Sequence, residues 1–292
     1  MKNFEYFSPQ NVQEAHTLLS QYSEEAKIIA GGQSLLILLK QGLISPSVII
    51  DIKGISELDY IHQDKKDGLR IGALTTHRTL ETSPLMKENF YMLAEMEHRL
   101  ASVQIRNWGT VGGNLCHGEP ASDLAPCFIA LDAEVKLSGP GGDGVMKVEE
   151  FFEDYYKTAL KSDEILTEIH LPILPPGGGI YVKTGVREKD MALAGVAAFI
   201  VLDPKNRGVC RDIRIVMGSV GPTPIRTTRA EDILRGQKVD DRLIDTAAQI
   251  ASEDSQPIPD IHASEEYKKE LVKVLVQHTV KEAMTRASAA AH

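Results

Sequence analysis

The stretch TVGGNLCHGEP, Thr110 to Pro120, carries features of three different kinds of site. Cys116 and His117 are residue types that ligate metals or perform nucleophilic chemistry. The pair Gly112-Gly113, followed by Asn114, is typical of backbone that approaches an anion closely. The stretch is therefore compatible with a metal site, a reactive thiol or a phosphate-binding segment, and the surrounding sequence has to distinguish them.

A metal site and a reactive thiol both lack support elsewhere in the sequence. Adjacent residues on an extended chain point to opposite sides, and neither Cys-x-x-Cys nor His-x-x-x-His accompanies Cys116 and His117. Only Cys127 and Cys210 remain. Three widely spaced cysteines form no disulfide framework and cannot supply the four thiolates of an iron–sulfur cluster. No base partner for Cys116 is identifiable, so we interpret it as a half-buried, small hydrophobic residue.

The composition limits the kind of protein. The chain has 292 residues and a formal net charge of −9, which argues against a nucleic-acid binder. The opening MKNFEYFSPQ has no apolar signal-peptide core, and no window approaches the roughly 20 apolar residues of a membrane span. We expect a cytoplasmic protein with reduced thiols, no membrane span and no nucleic-acid partner.

Alternating patterns predict a first small α/β unit up to about residue 55. SPQNVQEAHTLLSQY predicts a helix capped by Ser8, and AKIIAGG predicts a buried strand that runs into a glycine turn. QSLLILLKQG predicts a helix that stops at Gly42, and PSVIIDIK predicts a second strand. The sequence GLRIGALTTHRTLE then begins a second unit as a strand.

The second unit continues with a helix in FYMLAEMEHRLA, a helix and strand in SDLAPCFIALDAEVKLSG, and a strand in EILTEIHLPI. The two prolines and three glycines of Leu174–Gly179 predict a linker that continues neither regular structure. The C-terminal part is predicted to be helical, with one face made by Leu271, Val274, Leu275 and His278. We expect the terminal RASAAAH to be disordered.

A second glycine pair, Gly31-Gly32, lies in AGGQS, some eighty residues before the first. Each pair follows apolar residues and precedes a short polar side chain. Glycine permits positive φ and close approach, so successive amides can converge on phosphate oxygens, with Ser34 and Asn114 as side-chain donors. Neither segment matches G-x-G-x-x-G or a Walker loop, and ordinary turns remain an alternative. A ligand held by two separate lobes would be long, which favours a dinucleotide.

Together, AGGQSLLILLK and TVGGNLCHGEPASDLAP closely resemble the two FAD-binding signatures of the medium subunit of molybdenum hydroxylases, the family of xanthine dehydrogenase and aerobic carbon monoxide dehydrogenase. The segments QIRNWGT, DEILTEIHLP, YVKTGVREKDMA and MGSVGPTPIRTTRAEDIL extend the resemblance over nearly the whole chain. It implies an α+β protein: a two-lobed FAD-binding fold of the vanillyl-alcohol oxidase (PCMH) type, followed by a smaller α+β domain of the carbon monoxide dehydrogenase flavoprotein type.

The resemblance also implies a division of the chain and a division of labour. Residues 1–175 would form the FAD-binding domain, with lobes of about 1–55 and 56–175, and residues 176–292 the C-terminal domain. The chain would hold FAD non-covalently and pass electrons from [2Fe-2S] clusters to NAD or another acceptor. The clusters would lie on a small partner subunit and the molybdopterin on a large one. The three subunits would assemble as a dimer of heterotrimers.

The resemblance further implies which residues contact FAD. The first segment would wrap the pyrophosphate and the start of the ribityl chain, and the second would close on the phosphates from the other lobe. The contact residues of the two segments are Ile29, Ala30, Gly31, Gly32, Gln33, Ser34 and Leu35, then Thr110, Gly112, Gly113 and Asn114. No catalytic residue and no metal ligand are implied.

Four further cofactor contacts follow from the resemblance. Asp123 would accept hydrogen bonds from ribityl or ribose hydroxyls, and the Leu166 backbone would meet the flavin ring. Lys183 would lie near the pyrimidine end of the ring, and Leu100 beside the ring. Taken alone, Asp123 could instead cap the following helix, and Lys183 could belong to a solvated charged edge with Arg187 and Lys189.

One position departs from the carbon monoxide dehydrogenase pattern, which has a flavin-stacking tyrosine where this sequence has Met191. Carbon monoxide is therefore questionable as a substrate, while aldehydes, purines and N-heteroaromatics stay open. His77 and His117 receive no role from the resemblance. The alternative function is a self-sufficient flavin-dependent oxidoreductase, for which Cys116, His117 or Glu119 would have to serve as proton donor or acceptor.

Overall fold

A computed structural model describes residues 3–206 and 208–290, in which three larger sheets and one two-stranded sheet are surrounded by helices. The strands are β1 (Glu5–Phe7), β2 (Ala26–Ile29), β3 (Val48–Asp51), β4 (Ile61–Asp64), β5 (Gly68–Gly72), β6 (Glu134–Gly139), β7 (Gly142–Lys147), β8 (Phe152–Asp154), β9 (Lys157–Thr158), β10 (Ile165–Leu171), β11 (Gly178–Thr184), β12 (Ala194–Leu202), β13 (Cys210–Gly218) and β14 (Ile225–Arg226). The helices are α1 (Val12–Tyr22), α2 (Leu35–Gln41), α3 (His77–Thr82), α4 (Pro84–Asn89), α5 (Tyr91–Arg99), α6 (Val103–Trp108), α7 (Val111–His117), α8 (Leu124–Ala130), α9 (Val148–Phe151), α10 (Thr228–Leu234), α11 (Asp241–Asp254) and α12 (Glu265–Ala290).

The first lobe is a parallel three-stranded sheet in the order β1-β3-β2, with α1 packed on it. The predicted strands and the helix α2 are present, and α2 ends at Gly42, which has φ 72° as expected for a glycine C-cap. The predicted cap of the first helix is wrong. Asn11, rather than Ser8, caps α1, because its side chain accepts the amide N–H of Glu14 at 2.9 Å.

The second lobe is an antiparallel sheet in the order β4-β5-β10-β6-β7. Helices α5, α7 and α8 cover it, and α7 packs directly against the central strand β10. The predicted strand in GLRIGALTTHRTLE ends at Gly72, and helix α3 begins at His77. This places the start of α3 beside the segment that leads into α7.

The third unit is an antiparallel sheet in the order β11-β12-β13-β14, with α11 and α12 on one face. Its central strand β12 is buried on both faces. Ala197, Phe199 and Val201 pack into the core of the second lobe, while Val196 and Ala198 pack against the helices. The uninterrupted apolar run AGVAAFIVL follows from burial on two faces.

Three C-terminal expectations are wrong. Gly178 and Gly179, predicted as linker, begin β11, because a Cβ at Gly178 would lie 2.1 Å from the carbonyl oxygen of Ala283 and only glycine lets α12 approach so closely. On α12, Val274 and His278 are exposed, and the buried face is instead made by Val272, Leu275, Val276, Thr279, Val280 and Ala283. The helix also includes 286–290, which were predicted to be disordered, and the remaining two residues of that tail lie outside the described part of the chain.

A buried ion pair organises the connection between α5 and α6. Arg106 is 1% exposed, and its guanidinium donates to the Glu81 carboxylate at 2.9 Å and to the carbonyl oxygens of Leu100 and Ala101. Burial acts to raise the pKa of Glu81, but hydrogen bonds from three basic side chains lower it to about 2. This carboxylate therefore stabilises the fold above its ordinary pKa of 4.5, and that contribution is lost as the pH falls toward 2.

We expect Arg106→Met to lower the free energy of unfolding by about 3–5 kcal/mol, because it takes the buried cationic partner from the Glu81 carboxylate and the donor from two carbonyl oxygens. The matched control is Arg229→Met, whose guanidinium is 62% exposed and pairs with Asp254 at the surface. That control should cost less than about 1 kcal/mol. Urea denaturation of both variants makes the comparison, and equal losses would contradict a special role for Arg106.

Candidate cofactor-binding site

The two glycine segments meet through their backbones. A Cβ at Gly31 would lie 2.0 Å from the carbonyl oxygen of Trp108 and 2.9 Å from Cα of Gly109. A Cβ at Gly113 would lie 3.9 Å from Cβ of Ala30. The glycine at position 31 is therefore required by the approach of the two lobes, and the contact places the residues after β2 next to the residues that open α7.

The first segment has a row of uncommitted donors. Gly32 has φ +71°, a conformation that glycine adopts without strain. Gln33 Nε2 donates to the Gly31 carbonyl at 3.1 Å and so braces the turn. Within residues 3–206 and 208–290, no acceptor bonds to the five successive backbone N–H groups of 31–35. Such a run of free amides can donate to the oxygens of a phosphate group.

The second glycine pair differs from its expected form. Gly112 and Gly113 lie in the first turn of α7, with Thr110 as its N-cap. The Gly112 amide donates to the Ala73 carbonyl at 2.9 Å, and the Gly113 amide donates to Thr110 Oγ1 at 3.2 Å. The expectation that both glycine pairs offer free amides to phosphate is thus wrong for the second pair. Its glycines instead avoid clashes, since a Cβ at Gly112 would lie 2.6 Å from Ala73 Cβ.

Asn114 links the second segment to the third group of predicted residues. Its Oδ1 accepts a hydrogen bond from Ser122 Oγ at 2.7 Å, which leaves the Asn114 amide nitrogen as the donor end of the side chain. Ser122 precedes Asp123 directly. These contacts connect the first segment with Asn114 and Asp123. We call this set of residues, 31–35, Asn114, Ser122 and Asp123, the polar track.

Asp123 and Lys183, predicted separately, contact each other. Lys183 Nζ lies 2.5 Å from Asp123 Oδ2, and Tyr181 Oη donates to Asp123 Oδ1 at 2.6 Å. The side chains of Lys183 and Asp123 are only 7% and 6% exposed. Burial raises the pKa of the Asp123 carboxyl, and Lys183 and Tyr181 oppose that rise. Neither simpler alternative holds, since Asp123 makes no side-chain capping bond to α8 and Lys183 is not on a solvated edge.

Lys183, one of the three predicted ring contacts, lines a cavity of about 260 Å³. Lys183, Tyr181, Met96 and Arg99 contribute to its wall, and Leu100 follows directly at the end of α5. Leu166 lies elsewhere in the second lobe, buried on β10 opposite Leu137. The contacts of Leu166 are with the core of the second lobe, so Leu166 is not part of that cavity wall. Leu100 is not part of it either, although it is adjacent to Arg99 in sequence.

Each candidate proton-transfer group of the alternative function either contacts Tyr156 or, in the case of Cys116, has its ionisation opposed by burial. Burial raises the pKa of the Cys116 thiol to about 12, so it is not a thiolate at neutral pH. Glu119 accepts a hydrogen bond from Tyr156 Oη at 2.8 Å, and the His117 ring lies against the Tyr156 ring at 5.4 Å. These contacts form a local cluster around Tyr156.

Sequence reasoning missed a buried acid–base pair beside the two segments. His77 Nδ1 lies 2.9 Å from Glu97 Oε1, and Glu97 is fully buried. The two residues are twenty positions apart on different helices, so no short-range spacing connects them. A fully buried glutamate in the amphipathic α5 pattern was the one available signal, because such a residue needs a partner.

Models of two protein families match the chain. "FAD binding domain in molybdopterin dehydrogenase" matches residues 2–174, and "CO dehydrogenase flavoprotein C-terminal domain" matches residues 180–283. Together with the polar track, these matches define an FAD-binding flavoprotein. In the described residues, no helix combines the length and apolarity that a membrane crossing requires.

Relatives are similar over almost the full chain. The 6-hydroxypseudooxynicotine dehydrogenase complex subunit alpha of Paenarthrobacter nicotinovorans is 34% identical, over 98% of this chain and 96% of the relative. The carbon monoxide dehydrogenase medium chain of Hydrogenophaga pseudoflava is 34% identical, over 97% and 98%. A solved structure of carbon monoxide dehydrogenase from H. pseudoflava superposes with a TM-score of 0.94, at 34% identity and 98% coverage of each chain. The chain belongs to the family of FAD-binding medium subunits of molybdenum hydroxylases and is an oxidoreductase subunit.

We expect Gly31→Ala to weaken FAD binding by roughly five- to hundredfold, because overpacking of about 1–3 kcal/mol separates the two segments. Gly54→Ala is the matched control, since its Cβ would meet nothing within 4 Å. Both affinities are measured by titrating the FAD-free chains with FAD and monitoring the quenching of flavin fluorescence. Unchanged affinity in Gly31→Ala would show that the backbone contact does not shape the site.

Proposed function

We propose that the chain passes electrons from iron–sulfur clusters on a partner subunit to NAD or another acceptor, with FAD as the carrier. FAD, when bound, supplies the reversible redox chemistry. The observation that carries the proposal is the polar track, in a chain that matches medium subunits over almost its whole length. In the described residues, no acid–base pair made from Cys116, His117 and Glu119, the candidates of the alternative function, is left free along this track. A self-sufficient flavoenzyme is not favoured.

The partners we propose are a small iron–sulfur subunit and a large molybdopterin subunit, assembled as a dimer of heterotrimers. The names of relatives support this, since one is a complex subunit and another a medium chain. The two relatives are equally identical to this chain, yet they belong to a 6-hydroxypseudooxynicotine dehydrogenase and a carbon monoxide dehydrogenase. We therefore place the choice of organic substrate outside this chain.

We propose that 1–175 form the FAD-binding domain and 176–292 the C-terminal domain. In the first lobe, the free amides of 31–35 would hold the pyrophosphate. Asn114 would add a side-chain donor from the second lobe, and Asp123 would bind sugar or ribityl hydroxyls with lone pairs that Lys183 and Tyr181 do not use. These roles follow the order of the residues along the track.

The ring end of FAD would lie at the cavity beside Lys183. Met96 in the cavity wall offers apolar surface, and Lys183 supplies a cation whose position is fixed by Asp123. Leu100 would lie beside the ring from its position next to Arg99 at the end of α5. A fixed cation favours negative charge on a neighbouring reduced group. Arg99 and Arg187 also line the cavity, which supports an anionic acceptor such as NAD approaching from that side.

The central test is reduction of the isolated, FAD-loaded chain. An electron carrier without its own organic substrate should keep its flavin absorbance when an aldehyde or purine is added alone. In the complete complex, the same substrate should lower the flavin absorbance. Dithionite, which reduces flavin directly, is the control for reducibility. Rapid bleaching of the isolated chain by the organic substrate would contradict the proposal.

Lys183→Met should lower the flavin reduction potential, because it removes the cation and leaves the Asp123 carboxyl without its main counter-charge. The expected loss is roughly 1.5–3 kcal/mol of stabilisation of the anionic reduced ring. In Lys183→Met/Asp123→Asn the potential should return toward that of the wild type, since the pair is removed as a unit. Spectroelectrochemical titration measures the potentials. An equal drop in the single and double variants would show that Lys183 acts without regard to Asp123.

A further inference from the structure

His77 is held rigidly at one end of its ring. It begins α3 and is 3% exposed. Its Nδ1 lies 2.9 and 3.1 Å from the two carboxylate oxygens of Glu97, and its backbone N–H donates to the Gly109 carbonyl at 3.0 Å. A buried carboxylate that grips one ring nitrogen fixes the direction in which the other nitrogen points.

The free nitrogen lies at the junction of the two glycine segments. A Cβ at Gly109 would be 3.0 Å from His77 Cδ2 and 3.6 Å from Nε2, and Gly109 itself touches Gly31. Among the described residues, only His16 Nδ1 and Ser219 Oγ are enclosed side-chain atoms without a hydrogen-bond partner. Nε2 of His77, which has no protein partner there either, must therefore reach open space at this junction.

The junction otherwise has little positive charge for a pyrophosphate. Neither 29–35 nor 110–114 contains Lys or Arg. The Lys183 ammonium is bonded to Asp123, and Lys53, an exposed residue, lies over the Trp108 ring at 3.1 Å. Only neutral donors, the backbone amides and the Asn114 side chain, would thus face two phosphate charges in a chain with a net charge of −9.

We infer that His77 is a further cofactor-binding residue, whose Nε2 donates a hydrogen bond to the pyrophosphate of FAD where the two glycine segments meet. Glu97 is the positioning residue. With both ring nitrogens protonated, Nδ1 donates to the Glu97 carboxylate and Nε2 donates to the phosphate. The inference rests on FAD binding by this chain and adds to it a residue that neither glycine signature contains.

Two substitutions separate this role from a purely structural one. The amide nitrogen of His77→Asn can occupy the place of Nδ1 and keep the bond to Glu97, but nothing replaces Nε2. The longer side chain of His77→Gln reaches the place of Nε2 and gives up the bond to Glu97. We expect His77→Asn to keep a melting temperature close to that of the wild type and to bind FAD roughly ten- to hundredfold more weakly.

His77→Gln should show the opposite behaviour, with a lower melting temperature and FAD affinity within about threefold of the wild type when measured below that temperature. His170→Asn is the control, because His170 is bonded to Asp67 outside both glycine segments and its substitution should leave FAD affinity unchanged. The inference is overturned if affinity follows melting temperature through the series, so that Asn binds normally and Gln does not. Failure of the wild type to bind FAD would instead refute the proposed function.

Fragments of FAD locate the contact. ADP contains the pyrophosphate and riboflavin does not, so His77→Asn should weaken ADP binding by a factor similar to that for FAD and leave riboflavin binding unchanged. Competition of each fragment with FAD on the full chain gives the two affinities. A loss confined to riboflavin would place His77 at the ring and overturn the assignment to the pyrophosphate.

Discussion

The approach of Gly31 to the Trp108 carbonyl is the constraint on which the site depends. The first lobe is a parallel sheet and the second an antiparallel sheet, each with its own core, so neither lobe alone determines where the other lies. At this contact two backbones meet without side chains between them. The free amides of 31–35 therefore lie beside the start of α7, and the spacing of the two segments is set by main-chain van der Waals contact rather than by flexible side chains.

Buried acid–base pairs accompany this contact. Arg106 with Glu81, Lys183 with Asp123 and His77 with Glu97 each join elements that are distant in sequence. Such pairs contribute little net stability against apolar replacements, but breaking one leaves a buried charge unpaired. Their consequence here is geometric. Each pair holds side chains from distant elements in fixed positions, so a ligand that binds beside one of them need not order that side chain.

The sequence predicted the elements with strong local signals. The helix ending at Gly42 and the strand AKII are confirmed, because a C-cap glycine and a short apolar run are local features. Wrong predictions involve competition or long-range contacts. Asn11 outcompetes Ser8 as a cap, and Gly178 is a strand residue because α12 packs on it. The exposed Val274 was assigned to the apolar face of α12, since one residue of error rotates a helical face by about 100°.

The cofactor site shows the same division between local and long-range information. The glycine pairs are visible as motifs, but their physical roles differ in a way that motifs do not encode. The amides after Gly31 are free, whereas the Gly112 amide is bonded to Ala73, across a connection that exists only in the folded second lobe. Spacing in sequence likewise cannot bring His77 to Glu97. A signature therefore identifies where a cofactor binds, while the burial and pairing of residues outside the signature determine which groups remain available to bind it.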